Sequence, residues 1–195
     1  MKKLVFGLIA TALISLSSFS QNKSLESDKD FQDYISTMNT LFTNVKDANA
    51  IKDLAKITAD KWTDNDSENL SRALGFNKLS EFSSIIEVQN LRLKSIELNH
   101  QLTKLTDNEL ESSLIAVYQL QHPDVNLLLK TPCKTRYALC LVGVWAVGVA
   151  SQSACFAADA GTFGATFGCH LVAYALVASL AATCEFSYED CIDKK

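Results

Sequence analysis

The residues with the most evident chemistry are six cysteines, all in the last third of the chain. They are spaced C-x6-C-x14-C-x13-C-x14-C-x6-C from Cys133 to Cys191. This spacing reads the same in both directions and mirrors about Thr162. An antiparallel hairpin would bring together residues that are equally far from its centre, so the symmetry predicts three nested disulfides. The predicted pairs are Cys133–Cys191, Cys140–Cys184 and Cys155–Cys169.

The pitch of an α-helix fits the same arrangement. At about 100° per residue, the first three cysteines fall on one narrow stripe of a helix, and so do the last three. Between them lie Gly161 and Gly164, which we predict form the hairpin apex because glycine adopts the backbone conformations of a tight reversal. We therefore predict an αα-hairpin.

Two other interpretations of the cysteines remain open. They could be buried free thiols whose spacing is coincidental. A metal site is less well supported, because there is no C-x2-C pair and His170, beside Cys169, lacks a second clustered ligand. We expect no metal and no cofactor.

The first residues have the features of a secretory signal peptide. Two lysines precede an apolar run from Leu4 to Leu16, and small residues follow. We expect residues 1–20 to be removed by cleavage before Gln21. Export would give a secreted or periplasmic protein, in a compartment where disulfides form.

Residues 21–130 are expected to form about four or five helices, since they contain one glycine and one proline. The clearest has an apolar face from Phe31 to Val45. A second, weaker helix is expected to end at the polar run Thr63–Asp66. A long helix is expected to span about 78–105, either unbroken or interrupted near Asn90 or Asn99. Thr106 and Glu109 match a capping box that would start another helix.

Composition changes near residue 130, where we place a boundary between the helical region 21–130 and the cysteine-rich hairpin 131–195. From Ala138 to Cys184, only Asp159 carries a formal charge at neutral pH. The predicted fold class is all-α, with a disulfide-stapled apolar hairpin at its end. Helices this apolar are buried in protein or in lipid. The hairpin could be a core, a membrane-inserting element or an anchor.

Other classes of function receive little support. The net charge is −4 and no segment is strongly basic, so nucleic acid is not an expected partner. There is no GxSxG, HExxH, Walker or EF-hand pattern. His100, His122 and His170 are far apart in sequence. We expect no catalytic residues and a protein that is not an enzyme.

The tail from Cys133 resembles the halocin C8-like bacteriocin domain. The similar features are Cys140-Leu141-Val142-Gly143, apolar arms separated by cysteines, a glycine-rich centre from Gly161 to Gly168, and an acidic end from Glu185 to Cys191. The likeness covers roughly the last 60 residues. It implies a released antimicrobial peptide, with the upstream region as leader, chaperone or immunity segment. The chain has fewer cysteines than halocin C8, so the resemblance does not supply the disulfide number.

We therefore expect an exported, bacteriocin-like precursor whose hairpin perturbs a target-cell membrane, directly or through a receptor. The N-terminal helices would cover the hairpin before release. The alternative is an uncleaved, secreted, all-helical structural or interaction protein in which the same helices pack on the hairpin permanently. A third possibility is a membrane protein anchored by the hairpin.

Overall fold

The computed structural model describes residues 24–43, 45–123, 125, 132–159 and 165–193. Within these ranges it contains seven α-helices and no strand, which confirms the all-α prediction. The helices are α1 (Lys29–Thr43), α2 (Ala48–Leu54), α3 (Asp64–Ala73), α4 (Leu79–His100), α5 (Asp107–Gln121), α6 (Pro132–Asp159) and α7 (Ala165–Asp193). The predicted signal peptide and the apex residues Gly161 and Gly164 lie outside the described residues.

Side-chain caps fix where several of the helices begin. The Asp28 carboxylate accepts hydrogen bonds from the backbone amides of Asp30 and Phe31 at the start of α1. Thr106 and Glu109 form the predicted capping box before α5. Such caps satisfy amide groups that have no partner inside the helix.

The structure corrects two predicted boundaries. Thr63 and Asp66 do not end the second helix, which stops at Leu54; they form a capping box that starts α3 at Asp64. The long helix α4 ends at His100 and does not reach residue 105, because Gln101 adopts a left-handed conformation with φ of 52°. Of the two predicted alternatives, the structure therefore has the interruption near Asn99. Short polar runs can start or stop a helix, and the capping bonds that decide between the two are made only on folding.

Helices α6 and α7 lie side by side in opposite directions and form the hairpin. The N-terminal helices pack around it: α1 and α2 contact α7, while α4 and α5 contact α6. The buried apolar residues of both regions form one continuous hydrophobic core. Trp145 in α6 and Tyr174 in α7 are among its largest fully buried side chains. The hairpin is therefore the centre of the fold in this form of the protein.

One long-range polar contact ties the start of α1 to the end of α4. The His100 Nε2 atom lies 2.8 Å from the Asp28 carboxylate, and both side chains are largely buried. Burial alone would raise the pKa of Asp28. The hydrogen bonds from His100 and from the amides of Phe31 and Asp30 outweigh it and hold that pKa below its ordinary value of 3.8.

Because the folded pKa of Asp28 is lowered, its contribution to stability is present above pH 3.8 and is lost as the pH falls below that value. We expect Asp28→Asn, which keeps a capping oxygen, to lower the free energy of unfolding by about 1–2 kcal/mol at pH 7. The difference from the parent chain should shrink at pH 3. Urea unfolding at both pH values measures this.

The matched control is Asp53→Asn. Asp53 pairs with Lys56 on the surface, where both side chains are about three-quarters exposed, so its replacement should change stability by less than about 0.5 kcal/mol at either pH. An equal loss at pH 7 and pH 3 for Asp28→Asn would contradict the electrostatic account.

Candidate functional site

The candidate functional site is the disulfide-bonded hairpin. The structure joins Cys133 to Cys191, Cys140 to Cys184 and Cys155 to Cys169, which are the pairs that the symmetric spacing predicts. The Cα atoms of each pair are 5.7–5.8 Å apart, within the usual range for disulfides. No free cysteine occurs among the described residues. The interpretation as unpaired thiols is therefore wrong.

The three disulfides close loops of different lengths and therefore restrict the unfolded chain to different extents. They close segments of 58, 44 and 14 residues. In the chain-entropy model, closing a loop of about 15 residues stabilises the fold by about 3 kcal/mol, and longer loops contribute somewhat more. Three such bonds are typical of proteins that mature in an oxidising, extracellular-type environment.

Two buried polar side chains, Gln152 of α6 and His170 of α7, are hydrogen-bonded to each other between the arms. The bond joins the His170 Nδ1 atom to the Gln152 side-chain oxygen. The Gln152 amide nitrogen donates to the His170 backbone carbonyl at 3.2 Å. The Phe156 ring contacts the imidazole, with ring centres 4.8 Å apart. This pair links the two arms near the Cys155–Cys169 disulfide.

Aromatic contacts hold the N-terminal helices onto the hairpin. Tyr118 of α5 packs on Trp145 of α6, with ring centres 5.6 Å apart. Phe82 of α4 meets Tyr174 of α7 edge-on at 6.2 Å. Rings at these separations attract each other beyond the burial of their area. Each arm is thus covered by an aromatic side chain from a different N-terminal helix.

A glycine in α6 allows α6, α7 and α1 to approach one another closely. A Cβ atom at Gly148 would lie 3.3 Å from a methyl group of Val177 and 3.6 Å from the terminal methyl of Met38. The two arms and α1 therefore meet closely at this point, and even a methyl group at residue 148 would require Val177 to shift by a few tenths of an ångström. At Gly143, in the same helix, an added Cβ would meet no atom within 4 Å.

The outer face of α6 is apolar although it faces solvent. Its exposed positions from residue 139 to residue 154 include Leu139, Gly143, Val147, Ala150 and Ala154. Segments Cys133–Phe156 and Gly168–Asp193 are long and apolar enough to cross a membrane by length and composition. About half of each is buried in this fold, as in the core helices of soluble proteins.

The three histidines each contact a neighbouring side chain. His100 meets Asp28, His122 stacks on Tyr118 with ring centres 4.5 Å apart, and His170 bonds to Gln152. No cluster of three or more histidine, cysteine or acidic side chains that could hold a metal occurs within the described ranges.

A surface cavity of about 520 Å³ lies between α2 and α3. Two of its carboxylates already have structural partners. Asp47 accepts hydrogen bonds from the amides of Asn49 and Ala50, and Asp66 belongs to the capping box of α3. We therefore assign no ligand to this cavity.

Sequence reasoning missed the residues that join the two regions. The pairing of Gln152 with His170 and the contacts of Met38, Phe82 and Tyr118 with the hairpin were not predicted. The apolar periodicity of a helix identifies the face that is buried, but it does not identify the helix that covers that face.

Comparison of the chain with protein-family models, with curated proteins and with solved structures finds no match. The class of protein defined by the structure is therefore an all-α protein with a disulfide-stapled hairpin at its centre.

The close contact at Gly148 gives a prediction about packing. Gly148→Leu should lower the free energy of unfolding of the oxidised chain by about 1–3 kcal/mol, because the new side chain overlaps Val177 and Met38. Gly143→Leu is the matched control and should not destabilise, since it enters open space and removes a mid-helix glycine. Tryptophan fluorescence during denaturant unfolding measures the stability of both variants. Equal effects at the two sites would contradict the close contact.

Two buried hydroxyls give a second prediction. The side chains of Tyr34 in α1 and Tyr174 in α7 are at most 1% exposed, and within the described part of the chain their hydroxyls have no hydrogen-bond partner. Burial also raises the pKa of Tyr34 above its ordinary value. Replacing either tyrosine with phenylalanine should leave stability unchanged or raise it by up to about 1–2 kcal/mol.

Tyr188→Phe is the control for these variants. Tyr188 stacks on Tyr137 at a ring distance of 5.0 Å and is partly exposed, so its replacement should change stability by less than about 0.5 kcal/mol. A loss above 1 kcal/mol in Tyr34→Phe or Tyr174→Phe, measured by thermal unfolding, would mean that the hydroxyl has a partner.

Proposed function

We propose that the chain is an exported, bacteriocin-like antimicrobial peptide precursor. Its effector is the stapled hairpin from about Thr131 to Lys195, and residues 21–130 are its cover. The resemblance of the tail to the halocin C8-like domain is part of this proposal. Within it, the chain is not an enzyme, and the target-cell membrane or a receptor in it is the partner.

The observation that carries the proposal is the combination of length, apolarity and covalent pairing in α6 and α7. Both helices contain segments long enough to cross a membrane, and three disulfides hold them together independently of the other helices. The core helix of a soluble protein can be as long and as apolar, so the proposal rests on the combination of these properties with three disulfides. A peptide that must keep its shape after leaving its cover benefits from both.

The proposed mechanism begins with loss of the cover. In the structure, the apolar faces of the arms are buried against α1, α2, α4 and α5. Without those helices, side chains such as Val142, Trp145 and Tyr174 would face water, and each large apolar side chain so exposed costs about 1.5–3 kcal/mol. Insertion into a bilayer would bury them again. The disulfides would prevent the arms from unfolding during the transfer.

Electrostatic attraction contributes little to this mechanism. From Thr131 to Lys195 the chain has four basic and five acidic residues, a net charge of −1. Cationic peptides gain affinity for anionic lipid, and this hairpin does not. Apolar contact or a protein receptor would therefore have to select the target.

The experiment uses a full oxidised chain in which residues 126–131 are replaced by the recognition sequence of a site-specific protease. We expect the intact chain to leave vesicles and bacteria unharmed. Cleavage followed by separation of the two fragments should give a hairpin that releases dye from vesicles and inhibits growth of related bacteria.

The matched control carries a scrambled recognition sequence of the same composition and receives the same protease. It should stay inactive. If the separated hairpin remains oxidised and helical by circular dichroism but neither leaks dye nor inhibits growth, the membrane mechanism is wrong.

One observation favours a second candidate, an uncleaved secreted structural or interaction protein. The core runs without interruption from the N-terminal helices into the hairpin, as the packing of Tyr118 on Trp145 illustrates. Intact mass spectrometry of the culture supernatant separates the candidates. A fragment near residues 131–195 supports the precursor, while a single species that retains residues 21–195 supports the permanent assembly.

A further inference from the structure

The open end of the hairpin contains a small cavity between the two outer disulfides. Its volume is about 120 Å³. All four cysteines of these disulfides line it. The other lining residues are Arg136 and Tyr137 from α6 and Ser187 and Tyr188 from α7. Two disulfides thus share one opening to the surface, while Cys155–Cys169 lies farther along the arms and does not line it.

The sulfur-bearing residues of the hairpin differ in accessibility. Cys140 is exposed and Cys169 and Cys191 are half-buried, whereas Cys133, Cys155 and Cys184 are buried. Thiol–disulfide exchange requires the attacking thiolate to reach a sulfur atom. The residue with the best access in the described hairpin is therefore Cys140, at the wall of the cavity.

Charged groups of both signs lie near Cys140. Arg136 is exposed, precedes Cys140 by one helical turn and lines the same cavity. Its permanent positive charge attracts a thiolate. Burial and the nearby Glu185 carboxylate raise the pKa of the cavity-lining Tyr137, and that carboxylate opposes the approach of an anion. The stacked rings of Tyr137 and Tyr188 form another wall and leave this end of the hairpin incompletely filled.

We propose that this cavity is a thiol–disulfide exchange site, at which a dithiol reductant opens the two outer disulfides while the Cys155–Cys169 bond is retained. One thiolate of the reductant attacks the Cys140 sulfur, and the electron pair of the broken S–S bond leaves on Cys184, which takes up a proton. The second thiol of the reductant then attacks the mixed disulfide, releases Cys140 as a thiol and is itself oxidised to a disulfide. Cys133–Cys191 is reduced by the same steps with a second dithiol.

Reduction at this site would free the start of α6 from the end of α7 and leave the arms linked near the apex. The protein would then have two covalent states, one closed along its whole length and one closed at one end. Reduction of these two disulfides does not depend on antibacterial activity, and the failure of the proposed function would leave it unaffected.

The experiment follows the reduction of the full oxidised chain by dithiothreitol under native conditions. Samples are quenched with an alkylating reagent at successive times and mapped by peptide mass spectrometry. We expect Cys140 and Cys184 to be alkylated first, at least about ten-fold faster than Cys155 and Cys169, with Cys133 and Cys191 between them. If Cys155–Cys169 opens first, or all three bonds open together, the proposal is wrong.

Matched variants on one face of α7 test the role of the cavity. Ser187→Tyr fills the opening, since Ser187 lines it, and should slow reduction of Cys140–Cys184 by about three-fold or more. Thr183→Tyr places the same ring one turn earlier, at an exposed position that does not line the cavity, and should leave the rate unchanged. Equal rates in the two variants would mean that the cavity is not the route of attack.

A charge variant provides a second test that needs no change of packing. Arg136→Gln should slow reduction by an anionic thiol such as glutathione by about two- to three-fold at low salt, and the effect should fade at high salt. Lys134→Gln is the control, because Lys134 is exposed near the same end of α6 but does not line the cavity. The same rate in both variants at low salt would remove the proposed role of Arg136.

Discussion

The three disulfides between α6 and α7 are the constraint on which the rest of the structure depends. They fix the register of two helices whose surfaces are almost uniformly apolar. Helices of that kind have little side-chain chemistry with which to choose one alignment over another. The covalent bonds supply the alignment, and they place Gly148 against Val177 and Gln152 against His170. With the register fixed, the hairpin presents a defined surface on which the amphipathic helices α1, α2, α4 and α5 can pack.

Two kinds of interaction therefore meet in this fold. Covalent bonds hold the hairpin to itself, and apolar contacts hold the other helices to the hairpin. The apolar contacts are not covalent, so the helices that make them can separate. They consist of packed rings such as Tyr118 on Trp145 and of side chains that a bilayer could equally bury. The buried hydroxyls of Tyr34 and Tyr174 also lack partners within the described residues, so packing between α1 and α7 is not optimised for stability alone. Within the proposed function, the disulfides would keep the two arms paired after the outer helices have been lost.

The distribution of charge agrees with this division. Most of the charged side chains lie in the N-terminal helices and at the open end of the hairpin, and the stretch from Ala138 to Cys184 contains only Asp159. The exposed face of α6 is apolar from residue 139 to residue 154. The open end is different in character, since it combines Arg136, two stacked tyrosines and two disulfides around one small cavity. Apolar contact is thus available along the arms, while polar chemistry is concentrated at one end.

The sequence by itself determined the fold class, the pairing of the cysteines and several helix ends. Symmetric spacing defines an antiparallel pair because only equidistant residues meet, and Thr106 with Glu109 forms its cap within four residues of chain. Such local features depend on few neighbours. The capping box of Thr63 and Asp66 is equally local, although the polar run was expected to end a helix and not to start one. The left-handed Gln101 and the contacts of Met38, Phe82 and Tyr118 with the hairpin were decided by the tertiary structure. Their positions depend on which of several similar apolar faces pack together, and only the folded chain selects among them.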